Sequence, residues 1–318
     1  MLARRLPARR LPARRLPARC LSARPVIAAL AALSLSLTGC SAGAAVESPP
    51  AGAAPGPALW RVADEDTTIY LFGTVHALPR DTQWFDGRVE RAFASSDQLV
   101  TEIDMSDLAA QGQALASEGT LAGGQTLRAL MTEENRRQYE EALISLGLPV
   151  AALDQMEPWF AAMTLSLLPL LRAGYESESG VEMALGARAE GKQRAGLETV
   201  EEQIALFDTL PQEAQLAFLD EMVEQVPQAS STLDAMVAEW LEGDAATLAA
   251  LLNDELTDPA LYERLLTRRN ANWAAWIDER LDMPGTVFVA VGAGHLAGRG
   301  SVQEQLREHG LKADRVWE

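Results

Sequence analysis

The sequence predicts an α/β fold of the α+β type, with a central mixed sheet and a large helical insertion. Two apolar runs indicate its best strands, at residues 67–72 and 285–292. The second run, Thr-Val-Phe-Val-Ala-Val, has no polar alternation and is typical of a strand covered on both faces. Helical patterns fill roughly half of the chain beyond residue 58, which exceeds the usual share and favours an inserted helical region.

The predicted elements follow one another in a simple order. A hairpin at residues 59–72 comes first, and a helix at 86–95 with a strand at 97–104 then complete a βαβ unit. Helices are predicted at residues 127–146 (with a possible second start at Thr132), 160–171, 180–190, 200–209, 211–226, 231–242, 245–256, 259–281 and 301–309. Further strands are predicted at residues 193–199, 285–292 and 312–317.

Both of the best strands end in the pattern Gly-x-x-His. Residues 73–76 are Gly-Thr-Val-His and residues 292–295 are Gly-Ala-Gly-His, and they hold two of the three histidines in the chain. In open α/β sheets, ligands bind beyond the carboxyl ends of strands, where glycines let the backbone approach a bound group. The repeat favours a functional pair, His76 and His295, over two histidines that only cap strands. His309 lies at a predicted helix end, where surface capping explains it.

Two other predicted strands end near a glutamate, Glu102 and Glu198. Two imidazoles and one or two carboxylates suit Mn, Co, Fe or Zn, and the ligand types alone do not choose between these metals. His76 and His295 would be ligands, Glu102 a ligand or general base, and Glu198 a further carboxylate. Such a site could hydrolyse an amide or an ester. The alternative is that both glutamates face solvent, as most glutamates do.

Arg269 interrupts the apolar stripe of the helix predicted at residues 259–281. It lies four residues after Leu265 and four before Trp273, on the same face. A buried guanidinium without a partner is costly. Arg269 therefore either clamps a carboxylate, as an orienter or an oxyanion clamp in the site, or extends to solvent at the rim.

The N-terminus predicts export. Residues 1–39 contain basic Arg-Arg-Leu-Pro-Ala repeats and then an apolar segment, which is the layout of a signal peptide. They end in Leu-Thr-Gly before Cys40, which resembles a bacterial lipobox and implies a lipid on the Cys40 sulfur. An ordinary signal peptide is the alternative. Residues 40–58, rich in Ala, Gly and Pro, predict a flexible tether, and residues 59–318 predict a single domain.

The charge and the cysteine content of the chain argue against several partners and against a disulfide. Without residues 1–39 the chain loses eight arginines and no acid, which leaves 19 basic and 45 acidic residues and a net charge of −26. This charge argues against nucleic acid or anionic lipid as a partner, so we expect membrane contact through the lipid anchor alone. Cys20 would leave with the signal peptide and Cys40 would be modified, which excludes a disulfide.

Taken together, the motifs resemble the TraB/PrgY/GumN family, which is related to the Tiki membrane-anchored metalloproteases. The resemblance covers residues 59–316 and rests on Leu59-Trp60, residues 71–76, Glu102, Pro158-Trp159, Gly180-Val181, residues 196–199, Trp240, Gly243-Asp244, Arg269-Asn270 and residues 291–298. It implies that His76, Glu102 and His295 form an active site with a divalent metal such as manganese or cobalt. Glu182 departs from the family pattern, in which an aspartate follows Gly-Val.

The sequence therefore predicts a metal-dependent hydrolase of the cell envelope, lipid-anchored outside the cytoplasm. We expect a peptidase-like activity on a peptide or another small molecule. The His-Glu-x-x-His and Gly-x-Ser-x-Gly motifs are absent from the sequence, which argues against the usual zinc peptidases and serine hydrolases. Two alternatives remain: a non-catalytic envelope protein that binds a small peptide or metal ion, and a structural lipoprotein.

Overall fold

The computed structural model describes residues 56–85, 87–104, 106, 108–253 and 258–317. All of them belong to one compact unit of the chain. The predicted signal peptide, the predicted lipidation site Cys40 and the predicted tether up to residue 55 lie outside the described residues. Among the residues that are described, no helix is both long enough and apolar enough to cross a membrane.

Eight strands form the two sheets of the described chain. They are β1 (Leu59–Ala63), β2 (Thr67–Thr74), β3 (Leu78–Pro79), β4 (Gln98–Ile103), β5 (Tyr175–Glu176), β6 (Gln193–Glu198), β7 (Gly285–Gly292) and β8 (Asp314–Arg315). The six-stranded main sheet has the order β6-β4-β7-β2-β1-β8, and β3 and β5 form a separate pair. Strands β6, β4, β7 and β2 are parallel, and β1 is antiparallel to β2 and β8. The predicted mixed sheet and opening hairpin are confirmed.

The two Gly-x-x-His strands are neighbours in the sheet. β2 and β7 pair in parallel with Gly73 opposite Val291 and Thr74 opposite Gly292, so the two motifs begin one residue apart in register. β4 pairs in parallel with the other side of β7, and β6 pairs with β4. All four strands therefore end at the same edge of the sheet, and the residues after them meet there.

Thirteen α-helices surround the sheet in the described chain. They are α1 (Gly87–Ser95), α2 (Leu108–Glu118), α3 (Leu127–Leu130), α4 (Glu133–Ser145), α5 (Pro158–Arg172), α6 (Val181–Arg188), α7 (Val200–Asp208), α8 (Gln212–Gln225), α9 (Ala229–Glu242), α10 (Ala245–Asn253), α11 (Pro259–Tyr262), α12 (Arg268–Leu281) and α13 (Val302–Glu308). Thr132 caps α4 by accepting from a backbone N–H, which confirms the second helix start. Thr199 forms a full capping box at α7, directly after β6.

The core covers both faces of the sheet, as the continuous apolar run of β7 predicts. Phe288 packs with Trp240 of α9 on one face, and Val289 packs with Trp273 of α12 on the other. The helical insertion has a third apolar cluster of its own, built from α3, α4, α5 and α8. The strand ends are thus held by packing on two sides, which fixes the positions of the residues that follow them.

Four elements differ from the prediction. Helix α2 (Leu108–Glu118) was not predicted. The helix predicted at residues 259–281 is interrupted by a π-helical turn, Glu263–Thr267, which separates α11 from α12. The closing strand has only two residues, Asp314–Arg315, rather than 312–317. The pair β3–β5 was not predicted, because two-residue strands are too short to show a periodic pattern.

Candidate active site

His76 follows β2 and is held by a buried carboxylate. Its Nδ1 lies 2.7 Å from Glu182 Oε1, at the start of α6, and that oxygen also accepts the Thr74 hydroxyl at 2.5 Å. Since a carboxylate accepts, His76 donates through Nδ1. The His76 side chain is 73% exposed, whereas that of Glu182 is 11% exposed, so the imidazole sits at the mouth of the site.

The start of α6 packs directly against the His76 backbone. A Cβ on Gly180 would lie 2.1 Å from the His76 carbonyl oxygen, so only glycine allows this approach. The next residue, Val181, donates its N–H to the Val75 carbonyl at 3.0 Å. These contacts bring Glu182 to His76. The glutamate that departs from the family pattern therefore holds the imidazole in place.

His295 lies in a 3₁₀ turn after β7 and is 6% exposed. Its Nδ1 is 2.6 Å from Asn270 Oδ1, and its Nε2 is 3.1 Å from Arg269 Nη1. The Trp273 ring packs on the imidazole at 4.4 Å between ring centres. Three residues of α12 therefore fix the ring from different directions.

Glu102, in β4, lies between the two histidines and accepts three hydrogen bonds. Its Oε1 accepts the N–H of Gly292 at 2.8 Å, which ties β4 to the end of β7. Its Oε2 accepts from Arg269 Nη2 at 2.5 Å and from Gln203 Nε2 at 3.1 Å. Oε1 is also 4.0 Å from His295 Nε2, so this oxygen is the one that faces the imidazoles.

Arg269 donates every one of its five guanidinium N–H groups. Nε and Nη2 each donate to a different oxygen of Glu198 at 2.8 Å. Nη2 also donates to Glu102, and Nη1 donates to His295 Nε2 and to the Leu265 carbonyl. Arg269 is 11% exposed and clamps two carboxylates, rather than lying at the rim. In this arrangement Arg269 has no N–H left for an oxyanion.

Glu198 is saturated with donors as well. Its Oε1 accepts from Arg269 Nε and from Trp273 Nε1, the latter at 3.1 Å. Its Oε2 accepts from Arg269 Nη2 and from Gln203 Nε2, the latter at 3.1 Å. A carboxylate with both oxygens engaged twice holds its neighbours in place and is poorly placed to take a proton.

The charge states of the site differ sharply between the two histidines. The charge of the Glu182 carboxylate raises the pKa of His76 to about 9. Burial lowers the pKa of His295 to about 3, so this imidazole is neutral at physiological pH. Burial would raise the pKa of Glu102, but His295, Arg269, His76 and a backbone hydrogen bond together lower it to about 2.

Gly292 lies where the three predicted metal ligands converge. A Cβ at this position would be 3.1 Å from Glu102 Oε1, 3.5 Å from His295 Cδ2 and 3.8 Å from His76 Nε2. The space left by the missing side chain is therefore bordered by all three residues.

The chemistry of this donor set fits a divalent transition metal. Imidazole nitrogen and carboxylate oxygen are suitable ligands, and each imidazole has an outer hydrogen-bond partner, Glu182 or Asn270. Within the described residues, however, no three or more His, Cys, Asp or Glu side chains are grouped as a ready metal cage. The Nε2 atom of His295 faces Arg269 Nη1 rather than an open ligand position.

Comparison with known proteins identifies the family. The model of the TraB/PrgY/gumN family matches residues 58–315. The chain belongs to this family.

Relatives of this TraB/PrgY/gumN protein are similar over most of their length. The chain is 27% identical over 247 residues to the uncharacterized protein YbaP of Escherichia coli (strain K12), which covers 75% of this chain and 88% of the relative. It is 23% identical over 275 residues to an uncharacterized protein of Treponema pallidum (strain Nichols), with 80% and 81% covered. No solved structure matches the chain.

Sequence reasoning missed Gln203 of this TraB/PrgY/gumN site, and it named Asn270 only as part of the family pattern, without a role. Gln203, on α7, donates to both Glu102 and Glu198, and Asn270 contacts His295. Asn270 could have been recognised as a site residue from its position beside Arg269, on a helix with a large apolar face. Gln203 gave no signal, because one glutamine on a surface helix is common. As expected, His309 lies outside the site, where it contacts Asp278 at 2.8 Å.

Proposed function

We propose that this TraB/PrgY/gumN protein is an exported, lipid-anchored, metal-dependent hydrolase that cleaves peptides. The observation that supports the proposal most strongly is the meeting of His76, Glu102 and His295 around Gly292. Strands from opposite ends of the chain bring the two imidazoles to one edge of the sheet, where ligands bind in α/β proteins.

Three side chains would hold the metal ion. His76 Nε2 and Glu102 Oε1 border the space at Gly292, and His295 Nε2 joins them when Arg269 Nη1 releases it. The donor set suits manganese, cobalt or zinc. When bound, the ion supplies polarisation of a scissile carbonyl and activation of a water molecule.

The residues around the ligands keep them in place, and they keep Glu102 in the charge state that a ligand requires. Glu182 orients His76 through Nδ1, and Gln203 and Arg269 hold Glu102 Oε2 so that Oε1 faces inward. The low pKa of Glu102 keeps its carboxylate ionised, as a ligand must be. Exposed His76 marks the side from which a substrate enters, and the buried residues exclude water behind it.

A second candidate function is the capture of a peptide or a metal ion without turnover. It is favoured by the lack of a good general base among the described carboxylates of the site. Glu198 is saturated by donors, and Glu102 has a pKa of about 2, which makes it a weak base.

Peptide cleavage separates the two functions. The purified protein is loaded with Mn²⁺ and incubated with a peptide library, with and without a chelator. Cleavage that the chelator stops, and that H295Q lacks while keeping the wild-type circular dichroism spectrum, supports the hydrolase. Peptides that bind and are recovered intact support the binding protein and contradict the hydrolase.

A further inference from the structure

We infer that Asn270 is a positioning residue that fixes the tautomer of His295 and turns its Nε2 lone pair into the site. Asn270 is 1% exposed on α12, and its Oδ1 lies 2.6 Å from His295 Nδ1. The inference deepens the proposed function and rests on it, because a bare Nε2 is what a metal ligand or a base requires.

The orientation of the Asn270 amide is determined by its other contact. Its Nδ2 donates to the Gly300 carbonyl at 2.8 Å, and a carbonyl oxygen can only accept. The amide oxygen must therefore be the atom that faces His295. An amide oxygen also only accepts, so His295 Nδ1 carries the hydrogen, and Nε2 of the neutral ring carries the lone pair.

A second contact agrees with this assignment from the opposite side of the ring. Arg269 Nη1 lies 3.1 Å from His295 Nε2, and a guanidinium can only donate. A hydrogen on Nε2 would place two donors against each other. The acceptor on one side and the donor on the other therefore select the same tautomer.

The carbonyl that orients Asn270 is itself held in place. Gly300 adopts a left-handed backbone with φ of +68°, and a Cβ there would lie 2.9 Å from the Thr267 hydroxyl. The loop that precedes α13 is thus packed closely on the helix that carries Asn270. The neutral amide fixes the ring without adding a third negative charge beside Glu102 and Glu198.

Nitrogen NMR of the metal-free protein tests the inference directly. The full chain is labelled with ¹⁵N-histidine, treated with chelator, and examined at neutral pH by long-range ¹H–¹⁵N correlation spectra, with H295Q used to assign the His295 signals. We expect a protonated Nδ1 and an unprotonated Nε2 in the wild type. A wild-type spectrum with the hydrogen on Nε2 overturns the inference, independently of the results for the variants.

The variant N270L removes both amide contacts, and N135L serves as a matched control because Asn135 donates to Asp220 in the helical insertion. Because Arg269 Nη1 still faces Nε2 in N270L, we expect the change at Nδ1: its ¹H and ¹⁵N resonances should move towards those of an imidazole without this hydrogen bond. We also expect N270L to weaken Mn²⁺ binding by about 10- to 100-fold, with N135L unchanged. A folded N270L with the wild-type Nδ1 resonances overturns the inference. A wild type that binds no Mn²⁺ but shows the expected tautomer contradicts the proposed function and supports the role of Asn270.

Discussion

Arg269 and Glu198 form a two-point ion pair, with Nε to Oε1 and Nη2 to Oε2 both at 2.8 Å. The two side chains are only 11% and 12% exposed. The pair is the rigid centre to which Glu102, Gln203 and Trp273 attach. The burial of these charges means that neither partner can be removed without leaving the other uncompensated.

Removal of Arg269 should therefore strongly destabilise the protein. We expect R269L to lower the free energy of unfolding by about 3–5 kcal/mol, because Glu102 and Glu198 are left buried and unpaired. The control R80L removes an exposed pair with Glu176, where the loss should be at most about 1 kcal/mol. Urea unfolding measures the loss of unfolding free energy in each variant. Equal losses in the two variants would contradict the structural role of Arg269.

Alanine at position 292 should fill the space between the predicted ligands. Its Cβ would lie 3.1 Å from Glu102 Oε1, so G292A should weaken Mn²⁺ binding by about tenfold or more. The control is G186A in α6, where a Cβ meets nothing within 4 Å. Isothermal titration calorimetry gives both affinities, and unaltered binding by G292A would place the metal elsewhere.

Glu182 should affect metal binding through its contact with His76. We expect E182Q to weaken Mn²⁺ binding by about 10- to 100-fold, because the amide no longer supplies a carboxylate to orient the imidazole. The variant E201Q, at an exposed glutamate of α7, is the control. If both variants bind Mn²⁺ as the wild type does, the contact between Glu182 and His76 has no bearing on metal binding.

Acid should destabilise the metal-free protein through His295. Its folded pKa of about 3 lies below its ordinary value of 6.5, so the unfolded chain binds the extra proton between these values. Stability is therefore present above pH 6.5 and is lost as the pH falls towards 3, by up to about 1.4 kcal/mol per pH unit.

Between pH 4.5 and 6.5, His295 is the residue of the site whose protonation differs most between the folded and unfolded states. The pKa of Glu102 shifts from 4.5 to about 2, so Glu102 contributes only at lower pH. His76, with its raised pKa, is protonated in both states there, and its contribution is lost only as the pH rises above neutral. Urea unfolding in chelator should give a shallower slope for H295Q than for the wild type. Identical slopes would show that His295 is not buried in its neutral form.

The predicted lipid anchor can be tested by cell fractionation. If Cys40 carries the lipid, the wild-type protein should sediment with membranes, and C40S should appear in the soluble fraction or as uncleaved precursor. Mass spectrometry of the mature N-terminus identifies the modified residue. A C40S protein that is processed and remains with membranes like the wild type would contradict the anchor.

Sequence patterns were sufficient for the sheet and for the meeting of the two histidines. The apolar runs of β2 and β7 end in the same motif, and parallel neighbours must end at one edge. The helix start at Thr132 was visible because a capping residue acts locally.

The rest depends on contacts between distant segments. The π-helical turn before Arg269 has no periodic signature in the sequence. The contact between Glu182 and His76 was not predicted, because Glu182 departs from the aspartate expected after Gly-Val. Gln203 is recognisable as part of the site only once α7 is placed beside Glu102.

Anomalous X-ray diffraction from crystals grown with Mn²⁺ tests the central claim most directly. We predict one anomalous peak in the space beside Gly292, within ligand distance of His76 Nε2, Glu102 Oε1 and His295 Nε2, with Arg269 Nη1 displaced from His295. A peak at another position, or no peak at saturating Mn²⁺ with Arg269 still bound to His295, would contradict the metal site.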